Sequence, residues 1–173
     1  MSALAFADPA QDSQAAFRAI LDAMARPGTV MDCGAGLAPP PPLCPAAAAA
    51  LLTLADFETP LWLAPSFAAG GVGAFLKFHS GAPLAAAPDE AFFALVDAEA
   101  DDLDLARFSQ GTANYPDRST TVVLQLRSLA RGELLWLTGP GIRGDGTLRA
   151  SPLPDRFREQ WTRTRRPSRS AST

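Results

Sequence analysis

Residues 120–141, TTVVLQLRSLARGELLWLTGPG, decide the fold of this 173-residue chain. Two runs rich in β-branched and other apolar residues flank a short Arg-Gly step at Arg131 and Gly132. Runs of this composition predict strands, and the short step between them predicts a β-hairpin. The stretch is the strongest indication of β-structure in the sequence.

The end of this stretch resembles a dinucleotide-binding turn, because Gly139, Gly141 and Gly144 have the spacing G-x-G-x-x-G after a predicted strand. In such enzymes the turn opens a helix whose N–H groups receive the pyrophosphate. Here it continues into DGTLRASPLP, which has two prolines and no helical apolar period. Pro140 also removes one N–H group that a phosphate would need. The sequence therefore predicts a turn that leaves a strand.

Predicted helices and strands alternate on either side of this stretch. The helices are predicted at residues 12–28, 45–56, 66–80 and 101–108, with a less regular one at 154–166. The other strands are predicted at residues 29–31, 60–64 and 91–97. This alternation favours a layered α/β domain over a bundle or a barrel. We predict one domain at residues 1–161 and a disordered Arg/Ser-rich tail at residues 162–173.

The first predicted helix has a clear apolar face. Asp12 or Ser13 can cap its N-terminus. Arg26 lies at its C-terminal end, where a cation meets the negative pole of the helix. The apolar side chains that recur at helical spacing are those of Phe17, Ile20, Leu21 and Met24.

The charge distribution argues against a specific nucleic-acid binder. Residues 1–155 carry 17 acidic and 9 basic side chains, whereas residues 156–173 carry six arginines and one acid. Such a tail can attract nucleic acid without reading its sequence. No apolar run approaches the ~20 residues of a membrane span, and the N-terminus lacks a secretory signal. We therefore expect a cytoplasmic protein with no membrane contact, in which Cys33 and Cys44 are free thiols.

The chemistry-bearing residues are few. His79 is the only histidine and Lys77 the only lysine, so a nucleophilic triad or a Schiff base would depend on one of these two residues. A zinc site needs three or four clustered ligands, which the sequence does not provide. The loop at residues 108–119, FSQGTANYPDRS, is a candidate for a polar binding site, and an ordinary connection between two elements is an equal alternative. There Gly111 frees the backbone, while Thr112 and Arg118 offer polar groups.

Several stretches together resemble the PhnH family, which belongs to the bacterial carbon–phosphorus lyase system. They are QAAFRAILDAMARPGTV, LLTLADFETPLWL, FLKFHSGAPLA, GTANYPDRSTTVVLQLRSL and LWLTGPGI, in the order of the family. The resemblance covers about residues 6–160, and its specificity lies in the ordered set rather than in a single motif. It also identifies LTGPGI as a feature of the family instead of a dinucleotide fingerprint.

The resemblance implies a three-layer α/β/α sandwich with a mixed sheet, related to pyridoxal-phosphate-dependent transferases but without their cofactor site. It implies a homodimer that joins subunits G, I and J in a complex that converts ATP and an alkylphosphonate into ribose 1-alkylphosphonate 5-triphosphate and adenine. We expect an accessory subunit, inactive alone, with no cofactor, no metal and no catalytic residue of its own. The candidate contacts with substrate or partners are Arg26, His79, Gly111, Thr112 and Arg118.

Two alternatives stay open from the residues alone. One is an autonomous small-molecule enzyme that uses His79 as acid or base, and the other is a nucleic-acid binder that uses the Arg-rich tail. The tail also departs from the family pattern, in which a Phe-Pro-x-Gly-Val-Asp-like stretch follows the FREQW helix. Because residues 167–173 can be encoded by a sequence whose shifted frame gives such a stretch, we hypothesise a frame change near residues 161–167.

Overall fold

A computed structural model describes residues 5–100, 103–112, 114–139 and 141–164. Its helices are α1 (Pro9–Ala25), α2 (Pro45–Leu54), α3 (Val72–Ser80) and α4 (Phe157–Thr164). Its strands are β1 (Leu61–Leu63), β2 (Phe93–Asp97), β3 (Thr121–Gln125), β4 (Ser128–Leu137) and β5 (Gly146–Ser151). Parallel and antiparallel pairing both occur, so the predicted α/β class is confirmed.

Strands β1, β2 and β3 form a parallel sheet in that order. Leu61 pairs with Phe93, which in turn pairs with Thr121. On the other side of β1, an isolated parallel bridge joins Leu61 to Leu84. After β1 the chain runs through α3 to the bridge at Leu84, on one side of β1. It then crosses to the other side of β1, where β2 lies. The direction in which successive segments are added to the sheet therefore reverses between β1 and β2.

The predicted hairpin within residues 120–141 is wrong. Strand β3 pairs in parallel with β2, and β4 pairs antiparallel with β5 in a separate two-stranded sheet. Arg131 and Gly132 lie inside β4, at an irregularity in its register. Gly132 has φ +96°, and a Cβ there would lie 2.4 Å from the carbonyl oxygen of Ala150. The Arg-Gly step is a bulge within one strand, because β3 finds its partner far away in the sequence.

The glycine-rich segment after β4 is a turn, as predicted. It connects β4 to β5, and a strand rather than a helix follows it. Gly141 has φ +81°, and a Cβ there would lie 2.9 Å from the carbonyl oxygen of Ala25. The turn therefore packs closely against the C-terminal end of α1. This arrangement leaves no helix N-terminus after the turn at which a pyrophosphate could bind.

Helix α1 begins earlier than predicted, because Asp8 caps it instead of Asp12 or Ser13. Its carboxylate accepts hydrogen bonds from the backbone N–H groups of Ala10 and Gln11, both at 3.1 Å. Proline at the first helical position supports this start. The predicted apolar face does not become core. The side chains of Phe17, Leu21 and Met24 are 44%, 49% and 71% exposed.

Four other predicted elements are absent or shorter than predicted. Residues 29–31 form no strand. Helix α3 starts only at Val72, because Gly71 precedes it in the left-handed region at φ +79°. In the segment predicted as a helix at residues 101–108, the described part contains a short 3₁₀ turn at Leu105–Arg107. Helix α4 continues to Thr164 and so includes the first three residues of the tail at residues 162–173, which was predicted to be disordered; the rest of this tail lies outside the described residues.

The core lies where α2 meets the parallel sheet. Helix α2 is rich in alanine, and Ala48, Ala49 and Leu51 have no exposed surface. Small side chains let it contact both α1 and α3 closely. Strand β2 is buried along Phe93–Val96, as expected for the central strand of a parallel sheet.

Candidate functional site

The five predicted site residues lie in three separate places. Arg26 is the C-cap of α1 and forms an exposed ion pair with Asp22 at 3.0 Å, one helical turn away. His79 lies in the last turn of α3. Gly111, Thr112 and Arg118 belong to the loop before β3. The contacts of each group are local, and none joins one group to another among the residues that the structure describes.

His79 and Lys77 are both exposed on α3. The imidazole of His79 contacts the rings of Phe75 and Phe78, with centroids 4.8 Å and 4.9 Å away. No ion pair links either residue to a carboxylate in the described part of the chain. His79 is therefore placed as a solvent-facing residue at a helix end, and it lacks the orienting partner of a general base.

The loop before β3 is a self-contained turn. The hydroxyl of Thr112 accepts a hydrogen bond from the N–H of Tyr115 at 3.0 Å. The guanidinium of Arg118 lies over the Tyr115 ring, 4.3 Å from its centroid. Gly111 has φ +65°, and a Cβ there would crowd the carbonyl of Tyr115 at 3.0 Å. These contacts stabilise the loop itself, and they do not by themselves form a binding site.

The sequence did not indicate a polar cluster at the carboxyl ends of β2 and β3. Its centre is Gln125, whose amide nitrogen donates to the carbonyl of Pro42 at 2.9 Å and to Asp97 Oδ2 at 3.1 Å. The amide oxygen of Gln125 accepts from the N–H of Cys44 at 2.8 Å, at the start of α2. Nearby, Arg127 and Glu99 form an exposed ion pair. The hydrogen bonds of Gln125 connect three segments that are distant in sequence, namely the start of α2, the end of β2 and the end of β3.

A second unpredicted feature is a cleft of about 220 Å³ at the carboxyl ends of β1 and β2. Trp62 and Phe108 form one wall, with ring centroids 5.7 Å apart in an edge-to-face arrangement. The guanidinium of Arg107 lies 5.9 Å from the centroid of the Trp62 ring. Asp104 also lines the cleft. We call this feature the switch cleft, because it lies where the strand order reverses.

Three groups in the described part of the chain have a clearly shifted pKa. Burial raises the pKa of the Cys33 thiol, which favours the unreactive protonated form. A hydrogen bond from Arg156, then its charge and that of Arg163, lowers the pKa of Glu159 in α4. A hydrogen bond to Glu99 raises the pKa of Arg127. These shifts come from exposed ion pairs and from burial of one thiol, and they do not identify a general acid or base.

The exposed large apolar side chains of the described residues include two groups at helices α1 and α3. The α1 stripe consists of Phe17, Leu21 and Met24, which lie on one side of α1 because they are spaced by four and three residues. The α3 patch consists of Phe57 and Phe78, which are 75% and 82% exposed. Phe57 lies against Gly81 at the end of α3. Exposed apolar side chains in groups are typical of protein–protein contacts.

The described residues supply neither a metal-binding cluster nor a membrane helix. No three His, Cys, Asp or Glu residues lie close enough together in this part of the chain to hold a metal ion. Among the same residues, none of the helices has both the length and the apolar character needed to cross a bilayer.

Comparisons with known proteins identify the relatives of the chain. The family model for the bacterial phosphonate metabolism protein PhnH matches residues 4–167. The alpha-D-ribose 1-methylphosphonate 5-triphosphate synthase subunit PhnH of Rhizobium meliloti (strain 1021) is 38% identical over 161 residues. That alignment covers 93% of this chain and 80% of the relative. The chain belongs to the PhnH family of bacterial phosphonate metabolism proteins.

Proposed function

We propose that this chain is an accessory subunit of the complex that activates phosphonates. The family match over nearly the whole chain carries this proposal, since the Rhizobium relative is a subunit of a ribose 1-methylphosphonate 5-triphosphate synthase. In the reaction, the bond between the ribose C1′ of ATP and adenine breaks. A bond forms between C1′ and a phosphonate oxygen, and adenine leaves with a proton.

The scattered positions of the chemistry-bearing residues support an accessory role. Arg26, His79 and the loop with Thr112 and Arg118 do not converge in the described structure. A reaction at a glycosidic bond needs an acid or base and a phosphate-binding group held together around one substrate. We propose that other subunits supply these groups, that the cytoplasm is the location, and that the isolated chain is inactive.

The two apolar surfaces support an assembly with other chains. We propose that the isolated chain forms a homodimer through the α1 stripe, because this stripe is apolar and can face its own copy across a two-fold axis. We assign the α3 patch to contacts with subunits G, I and J. Phe78 is 82% exposed, and it would become the centre of such a contact.

Co-purification tests the proposal. Subunits G, I and J are co-expressed with this chain, one of them carries an affinity tag, and adenine release from ATP and methylphosphonate is measured. We expect the chain to co-purify and the adenine release to require it. Equal adenine release by the complex without this chain, or turnover by the chain alone that is lost in His79→Ala, would overturn the accessory role.

A pair of neighbouring variants tests the assignment of the α3 patch. Phe78→Ser removes an exposed ring and should reduce recovery of the chain with the tagged complex at least tenfold. Lys77→Ser changes the adjacent exposed residue and should leave recovery unchanged. If the two variants behave alike, the α3 patch is not the contact. Because Phe78 is exposed, both variants should unfold within a few degrees of the parent chain.

A further inference from the structure

The switch cleft lies at the position where parallel sheets bind ligands. The chain leaves the carboxyl end of β1 toward α3 and the bridge at Leu84, while β2 lies on the opposite side of β1. Connections that diverge from two neighbouring strands leave a crevice between them. Ala64 and Pro65 line it after β1, and Val96 lines it within β2. The cleft is thus a consequence of the strand order.

Hydrogen bonds fix the segment at residues 103–108, which forms the wall of the switch cleft that faces β1 and β2. The side chain of Gln160 in α4 donates to the carbonyl of Leu103 at 2.6 Å and accepts from the N–H of Leu105 at 2.7 Å. The amide nitrogen of Gln110 donates to the carbonyls of Leu105 and Phe108, at 2.8 Å and 2.9 Å. Two glutamines therefore fix the short segment that presents Asp104 and Arg107, which favours a preorganised site.

The side chains of the switch cleft favour a flat, uncharged ligand. The half-buried ring of Trp62 lines the cleft, and planar rings stack favourably on aromatic side chains. Among the described lining residues, only Asp104 and Arg107 are charged, one negative and one positive, so these residues give no net charge that would select an ion. The carboxylate of Asp104 can accept a hydrogen bond from an amino group, and the guanidinium of Arg107 can donate one to a ring nitrogen.

The volume limits the size of the ligand. Pockets for drug-sized molecules usually measure about 300–1,000 Å³, and the switch cleft measures about 220 Å³. A single ring system fits this scale, whereas a nucleoside triphosphate would extend far outside the cleft.

We propose that the switch cleft binds a small, uncharged, planar heteroaromatic ring that carries an amino group, which is the chemistry of a free nucleobase. The ring stacks on Trp62. Asp104 accepts a hydrogen bond from the amino group, and Arg107 donates one to a ring nitrogen. Adenine is also the base released in the reaction proposed above, but the inference rests on the cleft alone.

Calorimetry on the full chain tests the site, with adenine as the probe. We expect saturable binding, no tighter binding of AMP than of adenine, and a loss of affinity of at least tenfold in Trp62→Leu. Trp161→Leu is the matched control, since Trp161 is also a partly exposed tryptophan but does not line the cleft. Absence of binding at millimolar adenine, or equal losses in the two variants, overturns the proposal.

A second variant keeps the test valid if Trp62→Leu does not fold. Asp104→Asn keeps the shape of an exposed side chain and can still cap the Leu105–Arg107 turn. It should weaken adenine at least threefold and leave the weaker binding of uracil, which has no amino group, unchanged. An equal effect on adenine and uracil contradicts the assigned role of Asp104. Failure of either test leaves the co-purification result unaffected, so the two proposals are judged separately.

Discussion

At the scale of single residues, the side chains that hold the fold together are ones that local sequence patterns do not reveal. Gln125 bonds to groups 81 and 83 positions away, at Cys44 and Pro42. Nothing in the sequence near Gln125 indicates these partners. His79, by contrast, is of a residue type that often acts in catalysis, yet its ring contacts are two phenylalanine rings on its own helix.

The first prediction concerns Gln125. In Gln125→Ala, the N–H of Cys44 loses its partner in a partly buried place, and the carbonyl of Pro42 loses a partner at an exposed one. Leaving such groups unpaired costs about 1–3 kcal/mol. We expect the free energy of unfolding, measured by urea denaturation, to fall by this amount. Gln14→Ala, at an exposed position of α1, serves as the control and should change stability by less than about 0.5 kcal/mol. Equal changes in the two variants would refute the role assigned to Gln125.

The second prediction concerns Thr53, where a substitution should not lower the stability of the fold. Within the described residues, the hydroxyl oxygen of Thr53 is buried without a hydrogen-bond partner. Thr53→Val keeps the shape of the side chain and removes this polar group, so stability should stay equal or rise by up to about 1 kcal/mol. Thr59→Val is the matched comparison, because the Thr59 hydroxyl accepts from the N–H of Asp56 at 2.7 Å. It should lower stability by about 1 kcal/mol. Thermal unfolding of both variants measures whether Thr59→Val lowers the stability while Thr53→Val leaves it equal or raises it.

At the scale of elements, the sequence predicted the existence of most helices and strands better than their pairing. The strand runs at residues 60–64 and 91–97 and the helix at residues 45–56 agree with β1, β2 and α2. The hairpin was wrong because local turn chemistry cannot reveal that β3 pairs in parallel with β2. The sequence also could not show that the apolar face of α1 is exposed. An amphipathic period indicates that a helix has an apolar side, but it does not indicate whether another element covers that side.

The third prediction tests the bulge in β4. Gly132→Ala places a Cβ 2.4 Å from the Ala150 carbonyl oxygen and from the Ser151 side chain, at φ +96°. Gly144 in the turn has φ +76° with open space around its Cβ position, so Gly144→Ala carries only the conformational cost. That cost is about 1–2 kcal/mol. We expect Gly132→Ala to lower the free energy of unfolding by at least about 3 kcal/mol, since crowding adds to the strain.

The outcome of this comparison is read from chemical denaturation of both variants. A loss in Gly144→Ala as large as that in Gly132→Ala would mean that backbone conformation, and not the contact with β5, makes glycine necessary at position 132. Native-state hydrogen exchange gives a second measure. Amide protection in β4 and β5 should fall in Gly132→Ala while that of β2 is retained, because the two sheets are separate.

At the scale of the whole molecule, the chain combines a packed core with exposed apolar surfaces. Fully buried side chains such as Phe67, Leu76 and Leu95 show a completed interior. The α1 stripe and the α3 patch lie outside it. The family and its pathway could be predicted from an ordered set of ordinary motifs, whereas the switch cleft could not, because its walls come together only through the strand order.

The last prediction concerns the α1 stripe as the proposed homodimer contact. Leu21 is 49% exposed in the centre of the stripe, so Leu21→Glu should leave the fold intact but place a charge in the apolar contact. A charge buried there without a partner costs several kcal/mol, which corresponds to a dimer dissociation constant raised at least a hundredfold. Light scattering across a concentration series should find a dimer for the parent chain and a monomer for Leu21→Glu at micromolar concentration. Gln11→Glu adds the same charge to a polar position of α1 and should remain a dimer. Retention of the dimer in Leu21→Glu would place the contact elsewhere, and dissociation of both variants would mean that net charge, not the stripe, controls association.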